Sequence, residues 1–124
     1  MITAVSNIYI GTDLVEVTRI RSAIDEIGVR FLNRIFTEFE QQYCQSKANP
    51  EIHYAGRFAA KEAVMKALKS SGINDPIPFD SIDIQSSDTG EPLVVMKLKF
   101  GGICKVSISH TETHAIASAI YTPK

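Results

Sequence analysis

The sequence predicts a single α+β domain over residues 1–124, in which an N-terminal strand and several helices, including one long central helix, precede a C-terminal antiparallel β meander. Apolar residues recur at helical spacing in the first two thirds of the chain and alternate in the last third. Short links containing glycine or threonine separate the last apolar segments, which is typical of strands joined by hairpins. Apolar residues make up 44% of the chain, enough for the core of one domain.

The N-terminal part of the chain predicts one strand and three helices. The strand covers Ile8 to Val15, where side chains of two different faces alternate. A first helix covers Thr18 to Ile27 and ends at Gly28. A second covers Val29 to Phe36, and a third begins at the capping-box sequence Thr37-Glu38-Phe39-Glu40.

The longest helix is predicted from Ile52 to Lys69, after a loop at Lys47–Glu51 that contains an Asn-Pro pair. Its many alanines, together with lysine, glutamate and leucine, favour a helix intrinsically. Four strands follow, at Ser81–Ser86, Pro92–Phe100, Cys104–His110 and Ala115–Tyr121. Because one face of such a meander must be covered, we expect the long helix to pack on it.

Composition argues against several classes of protein. The net charge of −1 gives no bias toward nucleic acid or an anionic membrane. No apolar run approaches the roughly 18 residues that would suggest a membrane span, and residues 1–14 lack the basic region of a signal peptide. Cys44 and Cys104 lie far apart and form no CxxC pair, which is typical of reduced thiols in a cytoplasmic protein.

The long helix carries three charged residues whose positions are informative. Glu62 lies at the edge of an apolar arc and Lys66 lies one turn beyond it. Their neighbours Ala59 and Ala63 have small side chains, which leaves a notch that a ligand can reach. The same two residues could instead form an ordinary solvated i, i+4 pair. Lys61 falls inside the apolar arc, where it either extends along apolar surface to solvent or meets a buried anion.

Asp13 is an acid within an apolar strand, which costs free energy unless the carboxylate is paired, hydrogen-bonded or bound to a metal. The alternative is a strand-end residue that faces solvent. Asp13 together with Glu62 would supply two hard oxygen ligands. That pair suits Mg²⁺, which takes one or two carboxylates and completes its octahedron with water and substrate phosphate.

The segment Ser107-Ile108-Ser109-His110-Thr111 suggests two further chemistries, and neither fits well. Ser109 and His110 are adjacent, so in a strand they point to opposite faces and do not favour a Ser-His-Asp triad. His110 and His114 have a spacing seen in zinc sites, but the cysteines are not suitably placed to complete one.

Four arginines and no lysine occur in the first two predicted helices, which suits bidentate recognition of carboxylates. They are either solvated helix surface or a face for an acidic partner. Nucleic acid is a weaker alternative, because no aromatic residues are interleaved with them in a recognisable pattern and the chain has no net basic charge. The four are Arg19, Arg21, Arg30 and Arg34.

Five motifs in this order resemble those of the holo-acyl-carrier-protein synthase family, and together they cover nearly the whole chain. They are Gly11-Thr-Asp13-Leu-Val-Glu16-Val-Thr-Arg19-Ile20, Phe36-Thr37-Glu38-Phe-Glu40, Ala55-Gly-Arg57-Phe-Ala-Ala-Lys61-Glu62-Ala63-Val-Met-Lys66-Ala67, Gly90-Glu-Pro92, and Val106-Ser-Ile-Ser109-His110-Thr111.

The resemblance implies a 4'-phosphopantetheinyl transferase fold, assembled as a homotrimer with active sites between subunits. It implies a Mg²⁺-dependent enzyme that transfers 4'-phosphopantetheine from coenzyme A to a serine of apo acyl carrier protein, releasing 3',5'-ADP and supporting fatty acid biosynthesis. The alternatives are a non-catalytic coenzyme A-binding module and a pure carrier-protein adaptor. Replacement of Asp13, Glu62 or Lys66 would favour the first of these, and none is replaced.

The resemblance also implies residue roles. Asp13 and Glu62 would bind Mg²⁺ and form the catalytic set with Lys66, and the serine proton would pass to Glu62 or, as we favour, to a metal-bound water. Coenzyme A would contact Arg57, Lys61, Lys66, Ser109, His110 and Thr111. The carrier protein would dock on Arg19, Arg21, Arg30 and Arg34. Arg57 and Glu62 lie roughly 140° apart around the helix, so we expect them to reach one ligand from different subunits.

Overall fold

The structure is a computed structural model that describes residues 7–124. The first six residues, which belong to the segment that we expect not to be a signal peptide, lie outside this range. The elements are β1 (Tyr9–Glu16), α1 (Val17–Ile27), α2 (Val29–Ile35), α3 (Glu38–Gln45), α4 (Pro50–Ser70), a short 3-10 helix (Phe79–Ser81), β2 (Ile82–Ser86), β3 (Pro92–Met96), β4 (Ile103–His110) and β5 (His114–Thr122). The predicted α+β class is confirmed. Within residues 7–124 no helix is both long and apolar enough to cross a membrane.

The strands form two antiparallel sheets. One has the order β1-β5-β4, and the other is the hairpin β2-β3. The predicted C-terminal strands are therefore antiparallel, but they are divided between the sheets, and β1 joins the last hairpin. The division falls where β3 ends at Met96, earlier than predicted. Gly101 and Gly102 then turn the chain with φ values of 65° and 91° before β4 begins.

Helix α4 crosses β1 at Gly11, and the two backbones touch there. A Cβ atom at residue 11 would overlap the carbonyl oxygen of Ala63 and lie 2.7 Å from the nitrogen of Ala67. Glycine is required because no side chain fits between strand and helix. This close approach brings the residues that follow Gly11 in β1 next to the middle of α4.

The core lies between α4 and the β1-β5-β4 sheet. On the sheet, Ala115, Ala117 and Ala119 of β5 are buried against the helix. The alternating side chains Ile116 and Ile120 point the other way and stay exposed. The helix contributes an almost continuous buried surface, which consists of Tyr54, Ala55, Ala59, Ala60, Ala63, Val64, Ala67 and Leu68.

Local sequence signals set the helix boundaries. Gly28 ends α1 with a φ of 75°. At the start of α3, the Thr37 hydroxyl accepts a hydrogen bond from the Glu40 nitrogen at 3.1 Å, and the Glu40 carboxylate accepts one from the Thr37 nitrogen at 2.9 Å. The predicted capping box is confirmed. Helix α4 begins at Pro50, slightly earlier than predicted, because proline is well suited to the first helical position.

Both cysteines are buried and free, as the sequence predicts for reduced thiols. Burial raises the pKa of Cys44 to about 12 and that of Cys104 to about 11. The reactive thiolate is therefore scarce at both positions near neutral pH, and neither residue is suited to nucleophilic chemistry.

Candidate active site

The first candidate site lies where α4 crosses β1. Asp13 is on the helix-facing side of the strand, and its side chain is 15% exposed. The Lys66 ammonium donates to Asp13 Oδ1 at 3.1 Å and to the carbonyl oxygen of Thr12 at 2.9 Å. Of the two alternatives for Asp13, the paired carboxylate is therefore the observed one. The Lys66 ammonium therefore forms its hydrogen bonds with β1 and not with Glu62, the residue four positions earlier on α4.

Glu62 is half-buried one turn before Lys66 and faces the same crossing. Burial raises the pKa of Glu62, and the charge of Asp13 raises it further, while Lys66 and Arg19 oppose the shift. Two carboxylates are thus held within electrostatic reach of each other, an arrangement that a cation stabilises. Raised pKa values of this kind are typical of functional sites.

Within residues 7–124 no group of three or more acidic, histidine or cysteine side chains is arranged to hold a metal ion. The donor set at the crossing is therefore limited to the carboxylates of Asp13 and Glu62. A set of two carboxylates suits Mg²⁺, which fills its remaining positions with water and phosphate oxygens. It does not suit a closed structural zinc site, which needs four protein ligands.

An aromatic pair borders this site. Phe58, one turn before Glu62 on α4, stacks on Phe79 with ring centroids 5.8 Å apart. The guanidinium carbon of Arg19 lies 5.9 Å from the centre of the Phe58 ring. Arg19 therefore lies near Glu62, which agrees with its lowering effect on the pKa of that carboxyl group.

A second cluster surrounds Arg57. This side chain is 6% exposed, and its guanidinium carbon lies 3.9 Å from the centre of the Tyr43 ring. Nη2 donates to Ser86 Oγ at 3.3 Å, whereas the buried Nε has no hydrogen-bond partner among the described residues. A buried guanidinium with an unused donor is suited to an anionic ligand.

Arg57 lines a cavity of about 180 Å³ together with His53, His110, Gly90 and Pro92. The rings of His53 and His110 meet edge to face, with centroids 5.6 Å apart. Burial lowers the pKa of His53, and so do the nearby charges of His110, Lys47 and Arg57. No carboxylate lines this cavity within the described part of the chain, so its electrostatics favour an anion.

The predicted site residues thus divide between the two clusters. Asp13, Glu62 and Lys66 meet at the crossing, while Arg57 and His110 line the cavity. Ser109 is exposed on β4, and the Thr111 hydroxyl accepts hydrogen bonds from Thr113 and His114 in the β4–β5 turn. Neither Ser109 nor Thr111 lines the Arg57 cavity within one subunit.

The expectation that Lys61 contacts coenzyme A is wrong. The Lys61 side chain has no exposed surface, and its ammonium lies 2.7 Å from Glu40 Oε1. It donates a second hydrogen bond of 2.7 Å to the carbonyl oxygen of Ile35. A lysine held in this way cannot reach a ligand. The alternative that it meets a buried anion is the observed one, and that anion is Glu40.

The four arginines do not form one face. Arg19 lies beside Phe58 at the crossing, whereas Arg21 pairs with Glu51 at 3.3 Å near the start of α4. Arg30 and Arg34 lie on α2 and line a separate surface cavity. The exposed position of all four still permits contact with an acidic partner, but from different parts of the surface.

The other chemistries considered for the Ser107–Thr111 segment gain no support. No hydrogen bond joins Ser109 to a histidine in the described residues. The Nδ1 atom of His114 lies 2.9 Å from Thr113 Oγ1, and His110 meets His53 instead. His53 was missed by sequence reasoning. Its position four residues before Arg57, on the same face of a helix, is the signal that could have identified it.

The sequence matches the model of the 4'-phosphopantetheinyl transferase superfamily over residues 9–119. The fold agrees with this match. Solved structures of holo-[acyl-carrier-protein] synthases from Bacillus anthracis, in complex with coenzyme A (3',5'-ADP), and Helicobacter pylori, in complex with coenzyme A, each superpose with a TM-score of 0.79. The first is 32% identical and covers 94% of this chain and 96% of its own, and the second is 31% identical and covers 91% and 99%.

Curated relatives narrow the assignment. The holo-[acyl-carrier-protein] synthase of Chlorobaculum tepidum is 44% identical over 116 residues, which is 93% of this chain and 98% of that protein. The Chlamydia pneumoniae synthase is 46% identical over 117 residues, with 91% and 95% covered. The chain therefore belongs to the holo-[acyl-carrier-protein] synthase family of the superfamily, as its five motifs predicted.

Proposed function

We propose that this chain transfers the 4'-phosphopantetheine group of coenzyme A to a serine of apo acyl carrier protein, and so supports fatty acid biosynthesis. The observation that carries the proposal is the pair of carboxylates at the crossing of α4 and β1, with Lys66 bonded to Asp13 at 3.1 Å. Membership of the family indicates which reaction the chain catalyses, and the two carboxylates indicate where on the chain that reaction takes place.

The residues at the crossing fit Mg²⁺, because Glu62 and Asp13 are neighbouring carboxylates and the charge of Asp13 raises the pKa of Glu62, so a divalent cation would stabilise the pair. Asp13 and Glu62 would hold it. When bound, Mg²⁺ supplies neutralisation of the charge that develops on the diphosphate oxygens. Zinc would need further protein ligands, and the described residues do not provide them here.

In the transfer step itself, the side chains of the protein position the reactants and stabilise charge. The serine oxygen attacks the phosphorus that carries pantetheine, the bond from that phosphorus to the bridging oxygen breaks, and 3',5'-ADP leaves with the electron pair. The serine proton passes to a water molecule at the site. Lys66, whose side chain is 53% exposed, can turn from Asp13 toward the diphosphate oxygens and stabilise their charge. Positioning and charge stabilisation of this kind are the main contributions in phosphoryl transfer.

The Arg57 cavity would bind another phosphate of coenzyme A. It lies on a different side of α4 from Glu62, so a single chain is poorly arranged to present both clusters to one donor molecule. We therefore propose a homotrimer in which one subunit contributes Asp13 and Glu62 and its neighbour contributes Arg57, His53 and His110.

Self-association has further support from the outer face of the β1-β5-β4 sheet. Five large apolar side chains on this sheet are between 42% and 65% exposed. An exposed apolar surface of this kind is typical of an interface, and a second copy of the chain would remove it from water. The five are Ile10, Leu14, Ile103, Ile116 and Ile120.

An acidic carrier protein would dock near the crossing, where Arg19 stands beside Phe58. Arg21, Arg30 and Arg34 would extend the positive surface, and charge attraction would raise the rate of encounter. We place the protein in the cytoplasm, where reduced, buried thiols such as Cys44 and Cys104 are usual.

Incubation of the protein with coenzyme A, Mg²⁺ and an apo acyl carrier protein tests the proposal. Mass spectrometry of the carrier should reveal the addition of one phosphopantetheine group, and this addition should disappear when the carrier serine is replaced by alanine. A protein that binds coenzyme A by calorimetry without modifying any carrier would be a non-catalytic module. Binding of the carrier alone would indicate an adaptor.

A further inference from the structure

We propose that Glu40 and Lys61 are positioning residues, whose buried ion pair sets the rotation of α4 about its axis and so holds Glu62 opposite Asp13. The inference rests on the proposed function for its consequence in metal binding. It gives a role to the Phe36-Thr37-Glu38-Phe39-Glu40 motif, which the proposed chemistry does not use.

The Lys61 ammonium is fixed from two directions. It donates to Glu40 Oε1 on α3 and to the carbonyl oxygen of Ile35 at the end of α2, both at 2.7 Å. The centre of the Phe36 ring lies 6.0 Å from the same nitrogen. Because the side chain has no exposed surface, the ammonium has no access to water as an alternative partner.

The Glu40 carboxylate is surrounded by donors. Oε1 accepts hydrogen bonds from Lys61 and, at 2.9 Å, from the Thr37 nitrogen, while Oε2 accepts one from the Ile84 nitrogen of β2 at 2.7 Å. Burial raises the pKa of Glu40 and lowers that of Lys61, and the contact between them opposes both shifts. Since all three partners donate, the geometry favours the ionised carboxylate.

One carboxylate thus joins α3, β2 and α4, and the lysine adds the end of α2. Thr37 extends the network, because its hydroxyl donates to Asp83 Oδ1 on β2 at 2.6 Å. Four elements therefore meet at one ion pair, and Lys61 is the point at which α4 is attached to the other three.

The composition of α4 explains why such an attachment matters. The face that packs on β1 and β5 carries small side chains such as Ala59, Ala63 and Ala67. Apolar contacts of this kind are non-directional, and a smooth face sets helix rotation only weakly. Hydrogen bonds to an ion pair are directional. Lys61 directly precedes Glu62, so a change in its direction turns Glu62 away from Asp13.

A buried ion pair is weak evidence for stability, because apolar side chains of similar volume often serve as well. A role in orientation therefore has to be separated from one in stability. Lys61→Met removes the ammonium and keeps most of the side-chain volume. Val64→Ala is the matched control, because Val64 is fully buried on the same helix and its truncation destabilises the core while removing none of the hydrogen bonds of the pair.

We expect Lys61→Met to raise the dissociation constant for Mg²⁺ about tenfold or more in the folded protein, as loss of outer-shell support does at other metal sites. Titration calorimetry with Mg²⁺ alone measures this, at a temperature where circular dichroism reports a folded chain. Val64→Ala should leave the constant unchanged. Equal Mg²⁺ affinity in wild type and Lys61→Met would overturn the proposal.

The double variant Glu40→Gln/Lys61→Met covers the case in which Lys61→Met does not fold, since it leaves no unpaired buried charge. Its stability should partly recover while its Mg²⁺ affinity stays weak. Recovery of both together would show a merely structural pair and overturn the proposal.

A crystal structure of the double variant Glu40→Gln/Lys61→Met gives a readout that needs no metal. We expect α4 to be rotated against β1 there, but not in Val64→Ala, and an unchanged helix would count against the positioning role. If wild-type protein binds no Mg²⁺, the metal assignment fails, and the rotation of α4 still decides the role of the ion pair.

Discussion

Lys66 Nζ lies 3.1 Å from Asp13 Oδ1, so the long helix is tied to the first strand at the carboxylate that the proposed chemistry requires. The same ammonium donates to the carbonyl oxygen of Thr12 at 2.9 Å. Residues separated by more than 50 positions in the chain thus meet at one point, and Glu62 faces that point from one turn earlier on α4.

Asp13→Asn should reduce transfer activity by about 100-fold or more, because metal-assisted charge stabilisation is worth several kcal/mol and each 1.36 kcal/mol is tenfold in rate. The amide keeps the shape of the side chain and an acceptor for Lys66, so the fold should persist. Initial rates at saturating Mg²⁺ and circular dichroism check both points. Asp75→Asn, at an exposed loop acid, is the control. Near-normal turnover of Asp13→Asn or Glu62→Gln would contradict the metal assignment.

Gly11→Ala should lower the free energy of unfolding by about 1–3 kcal/mol or more, the usual cost of overpacking. The added methyl group would meet the backbone of α4 at Ala63 and Ala67, which cannot move aside as a side chain can. Urea unfolding measures the change. Ser22→Ala, at an exposed position of α1, should have little effect. A Gly11→Ala protein as stable as wild type would mean that α4 can shift without cost.

His53 should contribute a loss of stability as the pH falls below about 6.5, the ordinary pKa of histidine. The pKa of His53 is lowered in the folded protein by burial and by the charges of His110, Lys47 and Arg57. The unfolded chain therefore binds a proton first on acidification, and the unfolded state gains stability. Urea unfolding at pH 7.5 and 5.5 should give a smaller difference for His53→Gln than for wild type. His114→Gln, at an exposed histidine, is the control, and equal differences in wild type and His53→Gln would contradict the prediction.

Arg19→Glu should raise the KM for the carrier protein by about tenfold, because complementary charge governs the encounter rate, and should change the KM for coenzyme A much less. Added salt should weaken carrier binding in wild type and do so less in the variant, since the Debye length falls to about 3 Å at 1 M. Lys99→Glu, at an exposed charge in the turn after β3, is the control. If reversal at Arg19, Arg21, Arg30 and Arg34 together changes neither quantity, the docking surface lies elsewhere.

Mixing Arg57→Ala chains with Glu62→Ala chains should restore part of the activity that each variant lacks, because a hybrid oligomer contains some interfaces with both residues intact. The chains are mixed under conditions that allow subunit exchange, and the rate of carrier modification is followed. Light scattering under assay conditions provides the second measurement. A fully active monomer would exclude the shared site.

Local sequence signals predicted the helices well. Gly28 and the Thr37–Glu40 capping box act within a few residues of the boundaries they set, so they can be recognised without knowing the fold. The sequence also points to the two carboxylates, because an acid in an apolar strand and another beside small residues are unusual wherever they occur. Their motif match then connected them to one reaction.

The environment of Lys61 could not be predicted in the same way. Its position in the apolar arc left two alternatives, and the choice depended on Glu40, which lies on another helix. His53 posed a similar problem, since a single histidine in a helix has no distinctive pattern. His53 lines a cavity only because the fold places His110 of β4 beside it, together with Arg57 from the next turn of α4.

The capping box, the glycine that ends α1 and the family motifs can be read from the sequence, because they depend on local backbone preferences and on residue identity. The division of the strands into two sheets, the pairing of β1 with β5, and the burial of Lys61 against Glu40 became evident only in the folded chain. Each of these is a contact between distant segments, such as Asp13 opposite Ala117. The free energy of such a contact depends on residues of a distant segment, and a pattern of neighbouring residues in the sequence contains no information about them.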